Sequence, residues 1–326
     1  MIKTLPSLQV CVVDLELNLT PIPTPPPDFR SGFVGILGRP NVGKSTLLNA
    51  LIGQKIAITS PVAQTTRNRL RGILTTATAQ IILVDSPGIH KPHHPLGEIL
   101  VNNALGLIQA VDVLLLVVDG TVPAGRGDTY IAELLRPAGL PVVLGLNKID
   151  PLEPDTPAAP RPEVLASYQA LGPDWPWVSF SALAGVGLDH LVERLTQHLP
   201  AGPYYYPPDL VTDQPERFII AELIREQILH HTHQEVPHSV AVVVELMETT
   251  PKITRILAAI VVERASQKGI LIGKRGQMLR TVGTQARAAI EQLLDGPVYL
   301  ELFVKVEAHW RHSRHQLAEL GYRPES

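Results

Sequence analysis

From Phe33 to about Leu199, short apolar runs alternate with amphipathic stretches. Phe33–Leu37, Ile81–Val84, Val113–Val118, Val142–Leu146 and Trp177–Phe180 read as strands, most of them continuous enough to be buried on both faces. Between them, Leu96–Gln109, Thr129–Leu135 and Leu188–His198 read as helices. The alternation predicts a doubly wound, mostly parallel α/β sheet over residues 31–199. In such sheets ligands bind beyond the carboxyl ends of the strands, so chemistry is expected just after each run.

The pattern then changes. Pro200, Pro203, Pro207, Pro208 and Pro215 surround Tyr204-Tyr205-Tyr206, which is too proline-rich for a helix or a central strand. This predicts a linker over 200–214, with its tyrosines packed on a domain surface. Over 215–326 the pattern gives a helix (Glu216–His231), two strands (Ser239–Met247 and Ile253–Val262) and a helix (Ala265–Leu271). It continues with Gly273-Lys274-Arg275-Gly276, a helix (Gln277–Leu294), a strand (Pro297–Val306) and a last helix (His309–Leu320). The order α-β-β-α-(GxxG)-α-β is that of a type II KH module, an α+β unit whose G-x-x-G loop clamps a nucleotide backbone. Residues 1–30 end in Pro21-Ile22-Pro23-Thr24-Pro25-Pro26-Pro27 and read as a flexible extension that favours polyproline conformation.

The first strand leads into Gly38-Arg39-Pro40-Asn41-Val42-Gly43-Lys44-Ser45-Thr46, a match to G-x-x-x-x-G-K-[ST]. Backbone N–H groups of such a loop, together with the new helix N-terminus, converge on one spot that suits a phosphate. Lys44 can reach the outer phosphates, and the Ser45 hydroxyl can sit on Mg²⁺. After the next run comes Asp85-Ser86-Pro87-Gly88, where Asp85 can hold Mg²⁺ and the Gly88 N–H can meet a γ-phosphate. Asn147-Lys148-Ile149-Asp150 follows Leu146. The Asp150 carboxylate can accept from two neighbouring N–H groups on a guanine edge, which adenine lacks, so the wrong base would leave a buried carboxylate unpaired. Ser181-Ala182-Leu183 forms a short loop whose backbone could touch the base. Between these elements, Gln54–Arg71 holds Thr65 and Thr66. Thr66 is preferred as a third Mg²⁺ ligand that engages only when a γ-phosphate is present, which would make the segment a switch. The five elements in this order predict a GTP-binding domain.

Ile89 follows Gly88, where the Ras-type template has a glutamine that orients water. Intrinsic hydrolysis is therefore expected to be slow. Asn41 could help hold a monovalent cation such as K⁺ against the phosphates, supplying charge where an arginine finger would; equally, it could only brace the loop.

Charge alters the picture locally. The 326-residue chain carries a net charge of −3, so no global basicity points to nucleic acid. Residues 251–287, however, hold Lys252, Arg255, Arg264, Lys268, Lys274, Arg275, Arg280 and Arg287 against Glu263 alone. Single-stranded RNA is the partner such a face suggests, with Gly273, Lys274, Arg275, Gly276, Lys268 and Arg280 as the candidate contacts, and DNA is not expected. One cysteine, Cys11, excludes an intramolecular disulfide. No apolar run reaches bilayer-spanning length, and no secretory signal is read at the N-terminus. His230, His231 and His233 are read as helix-end cations in preference to metal ligands.

Taken together, the phosphate loop, Gln64-Thr65-Thr66-Arg67, Pro87-Gly88-Ile89-His90-Lys91-Pro92, Asn147-Lys148-Ile149-Asp150 and the run from Gly269 to Gly276 before Val304-Lys305-Val306 resemble the bacterial Era family. The resemblance covers roughly residues 30–323. It implies a GTPase using GTP/GDP and Mg²⁺ that binds the 3′ end of small-subunit (16S) ribosomal RNA and assists 30S maturation. It further implies a cytoplasmic protein, expected as a monomer, loosely attached to the inner membrane. The proline-rich extension, Ser86 in place of the usual threonine, and the Lys274-Arg275 pair depart from the family pattern. Two other readings compete: an ATPase or kinase using the same loop, which Asp150 argues against, and a membrane-linked regulatory GTPase whose basic face meets anionic lipid or a protein.

Overall fold

The computed structural model describes residues 22–60, 62, 69–86, 88, 106–151, 159–232 and 236–320. Its first body is a six-stranded sheet: β1 (Arg30–Leu37), β2 (Leu70–Thr75), β3 (Ala79–Asp85), β4 (Val113–Asp119), β5 (Val142–Asn147) and β6 (Trp177–Ser179). The strands lie in the order β2-β3-β1-β4-β5-β6, all parallel except β2, which pairs antiparallel with β3. β3 and β5 are buried along their whole length, as continuous apolar runs between two helical layers must be. Helices α1 (Lys44–Ile52), α2 (Arg126–Leu135), α3 (Pro162–Gln169) and α4 (Leu188–His198) flank the sheet.

Two elements escape the sequence pattern. Strand β2 lies at a sheet edge and starts inside the segment read as a polar switch. Helix α3 opens with Pro162 at its first turn, where proline is tolerated, but its proline-rich approach reads as loop. Of the helix expected over Leu96–Gln109, only 106–109 falls within the described residues, and 106–108 is helical.

The proline-rich linker runs along the first body. Gly202 N–H donates to Phe29 O at 3.1 Å and Ile73 N–H to Val211 O at 2.8 Å. The Tyr204 ring lies tilted with its centroid 4.4 Å from that of Phe29, and the Tyr205 ring 5.3 Å from that of Phe33, so these two tyrosines do pack on a domain surface. Fully buried Gln80 fixes the turn by accepting from Tyr205 and Tyr206 N–H at 2.7 and 3.0 Å.

The second body comprises α5 (Glu216–His231), α6 (Val236–Ser239), β7 (Ala241–Thr249), β8 (Thr254–Val262), α7 (Ala265–Ile272), α8 (Gln277–Leu294), β9 (Val298–Val306) and α9 (Arg314–Glu319). β7 is antiparallel and β9 parallel to β8. Ile224, Ile228, Ile256, Ile260, Val282 and Ile290 join the two long helices to the inner face of the sheet. Two expectations are corrected. Ser239 ends the helical turn α6, so β7 starts at Ala241. The last helix is broken into a 3-10 turn at Trp310–His312 followed by α9. The break lets Trp310 bury completely beside Ala241 and Val261 while its indole N–H donates to Ser239 O at 3.2 Å.

Helix α5 is buried on more than its apolar stripe: Arg225 and Glu226 are as inaccessible as Ile224. Sequence periodicity shows only the face turned to its own sheet. Its other face meets the first body, where Ile58 joins the second body's core.

Candidate functional site

The ends of β1, β3, β5 and β6 converge on a cleft of about 600 Å³, lined by the loop before α1, Gly88, Asn147-Lys148, Asp150 and Ser181–Leu183. This is the carboxyl-end position expected of a doubly wound sheet. Close approach explains two glycines. A Cβ at Gly43 would lie 2.3 Å from Asn147 Nδ2, and one at Gly88 would lie 2.8 Å from Pro40 N. Gly88 thus brings the D-x-x-G turn against the phosphate loop.

Lys44 is buried, and its amine donates to Gly38 O at 3.1 Å and Arg39 O at 2.9 Å. Desolvation lowers its pKa from 10.5 to about 8, against the opposing pull of Asp85. Ser45 Oγ donates to Asp85 Oδ2 at 2.6 Å. A hydroxyl and a buried carboxylate at the ends of adjoining elements form a hard oxygen set that fits Mg²⁺. Among the expected site residues, Thr66 and Pro87 lie outside the described residues, as do Thr65 and Ile89.

Asn147 ties the loop before α1 to the Ser181–Leu183 wall of the cleft. Its Nδ2 donates to Val42 O at 2.8 Å and its Oδ1 accepts from Ala182 N–H at 2.9 Å. Ser181 Oγ donates to Asp150 Oδ1 at 2.8 Å, leaving the carboxylate at the cleft wall with its orientation set. Lys148 extends to Asp119, whose carboxylate accepts at 2.8 Å. Burial pushes the Asp119 pKa up, but hydrogen bonds from Lys148 and Thr121 outweigh it and hold the group below the usual carboxylate range. Leu183, 87% exposed, stands at the cleft rim.

Three expected contacts turn elsewhere with their side chains. Arg39 Nε donates to Asp128 Oδ1 at 2.8 Å on α2. Val42 packs into the sheet core, and Ser86 Oγ donates to Ile36 O at 2.8 Å. These residues can reach a ligand only through their backbone. Asp128, nearly fully buried, also accepts from Gly125 N–H at 2.8 Å, so one carboxylate caps α2 and clamps the phosphate loop. Sequence reading missed Asp128 because it lies 89 residues from Arg39, with no motif around it.

On the second body, α7 ends at Gly273 and α8 begins at Gln277. Between them Gly273, Arg275 and Gly276 take positive φ values of 69°, 54° and 77°, which folds the loop tightly and exposes Lys274 and Arg275. Arg280 is also exposed, and Lys268 is half-buried on α7. Ile270 on α7, 52% exposed, adds an apolar surface that the sequence reading missed. In the run Ile270-Leu271-Ile272 a helix cannot turn all three inward, which was the available signal. His230 and His231 hydrogen-bond to Thr59 O and Gln285 Oε1, and His233 lies outside the described residues.

Comparison with known proteins follows the same division. A family model described as a 50S ribosome-binding GTPase matches residues 33–148, and a KH domain model matches residues 235–311. GTPase Era of Nostoc sp. is 64% identical over 306 residues, covering 93% of each chain. GTPase Era of Rippkaea orientalis is 61% identical over 313 residues, covering 95% of this chain and 98% of its own. Among solved structures, an Aquifex aeolicus Era variant bound to GDP and aluminium fluoride superposes with a TM-score of 0.85 at 38% identity, over 90% of this chain and 99% of its own. A structure of Era with MgGDPNP and nucleotides 1506–1542 of 16S ribosomal RNA matches with the same TM-score, identity and coverage.

Proposed function

The chain belongs to the Era family of GTPases, and from that premise we propose that GTP in the cleft gates the grip of the KH loop on the 3′ end of 16S ribosomal RNA during 30S maturation. One observation carries the reading. A cleft walled by Asp150 and an exposed Lys274-Arg275 loop stand on two bodies that are in direct contact. The family match and the RNA-bound Era neighbour support it.

In this reading the phosphate loop from Gly38 to Thr46 wraps the phosphates with its N–H groups, and Lys44 swings from the loop carbonyls to the outer phosphate oxygens. Ser45 and Asp85 would hold Mg²⁺, joined by Thr66 in the triphosphate state. Bound there, the ion would neutralise charge on the β- and γ-phosphate oxygens. Gly88 N–H meets the γ-phosphate, and Asp150, steadied by Ser181, reads guanine. Asn41 helps hold K⁺ beside the phosphates. Lys268, Lys274, Arg275 and Arg280 supply charge to the RNA backbone at the G-x-x-G turn. The domain limits belong to the same proposal: 1–30 an extension, 31–199 the GTPase domain, 200–214 the linker and 215–326 the KH domain. So do a monomeric state and a cytoplasmic protein held loosely at the inner membrane.

The test is binding of a 3′-terminal 16S RNA fragment and of phosphatidylglycerol vesicles by the full chain, with a GTP analogue and with GDP. RNA affinity that differs between the two nucleotides and is lost in Lys274→Asp/Arg275→Asp is the expected result. Loss of vesicle binding instead would replace RNA with anionic lipid as the partner of this face.

A further inference from the structure

Residues 55–60 carry the chain from α1 toward the segment that contains Thr66, and they are held from both bodies at once. Asn49, in the last turn of α1, accepts from Ile56 and Ala57 N–H at 3.0 and 2.8 Å and donates to Ala57 O at 2.7 Å. Ile56 and Ala57 bury in the sheet core, while the next residue, Ile58, buries in the core of the KH body. A stretch whose successive side chains enter two different cores cannot shift without disturbing one of them.

Helix α5 then grips the next residue. The fully buried Glu226 carboxylate accepts from Thr59 N–H at 2.8 Å and Thr59 Oγ1 at 3.3 Å, and pairs with Lys55 Nζ. One helical turn later, His230 Nε2 donates to Thr59 O at 3.0 Å. Both backbone groups of Thr59 are therefore held by an i, i+4 pair from the KH body. His230 also lines the nucleotide cleft. A carboxylate buried this completely costs free energy unless it is well bonded, and the partners that bond it come chiefly from the other body.

We propose that Glu226 and His230 are positioning residues for GTP hydrolysis and form the contact through which the KH domain senses nucleotide. They fix Thr59, which itself lines the nucleotide cleft beside His230, so a shift of Thr59 when nucleotide binds pulls on α5. This rests on the GTP-gated RNA binding proposed above. A residue that only fastened the two bodies together would alter stability without altering turnover at saturating GTP.

The experiment uses the full chain with Glu226→Ala, Glu226→Gln and His230→Ala. It measures GTP turnover, and the ratio of affinities for the 3′-terminal 16S RNA fragment with a GTP analogue and with GDP. Glu226→Ala is expected to lower kcat at least threefold with KM within twofold, and to bring the affinity ratio at least threefold closer to one. His230→Ala, at an exposed position, shifts both in the same direction and tests the idea even if Glu226→Ala fails to fold. Glu226→Gln keeps an oxygen for Thr59 N–H and recovers at least half of the loss. Wild-type kcat and affinity ratio in folded His230→Ala and Glu226→Ala would overturn the inference, as would a change confined to KM. A wild-type chain whose RNA affinity ignores nucleotide would instead remove the gating reading, while the kcat comparison still decides the role of Glu226 and His230.

Discussion

Lys44 should make nucleotide binding take up a proton. Burial holds the amine at about 8, with carbonyl oxygens and the Asp85 charge favouring its ammonium form. Phosphate oxygens would stabilise the ammonium and return it at least to its ordinary 10.5. Because the bound state then holds more protons, affinity must fall as pH rises through the free-state value. At pH 7 about nine-tenths of the free amine is charged and at pH 8.5 about a quarter, so GDP affinity should drop about fourfold, or about 0.8 kcal/mol. Isothermal titration in buffers of differing ionisation heat should record uptake of about three-quarters of a proton at pH 8.5 and about a tenth at pH 7. Lys44→Arg, charged throughout, should bind GDP without this pH dependence. Uptake near zero at pH 8.5, with affinity flat between the two values, would refute the desolvated amine as the phosphate ligand.

Other substitutions probe separate links. Asp150→Asn should erase most of the preference for GTP over ATP in competition binding, because it removes the carboxylate proposed to accept both guanine N–H groups. Ser181→Ala should weaken GTP by about 1 kcal/mol and leave selectivity for guanine in place, since it removes only the bond that orients Asp150. Asp128→Ala should weaken GDP and GTP alike at constant base selectivity, because it releases Arg39 and with it the phosphate loop; equal affinities in variant and wild type would show the clamp to be dispensable. Lys274→Ala/Arg275→Ala should reduce the slope of log RNA affinity against log salt by about 1.4, and an unchanged slope would place the RNA elsewhere.

Much of the site is legible in the chain because it is built from backbone. The phosphate loop, the Gly88 turn and the Gly273–Gly276 turn depend on glycines at fixed spacing after a strand or helix, and local residues dictate both. What escapes has a non-local cause. Arg39 sits inside the phosphate-loop motif, yet its guanidinium is claimed by Asp128 on α2, and Ser86 is claimed by the carbonyl of Ile36. Helix α3 and strand β2 were hidden by a proline that marks a helix start and by an edge position with little apolar periodicity.

The order of strands, helices and glycine turns was determined by the sequence alone, since the period of apolar residues and the freedom of glycine are properties of adjacent residues. Only the tertiary structure decided that α5 has two buried faces and that Glu226 and His230 meet Thr59 across the boundary between bodies. A charged residue on a helix is written the same way whether it faces water or a backbone N–H some 167 residues away. Which of the two it faces is fixed by how the domains pack, and no local pattern encodes that.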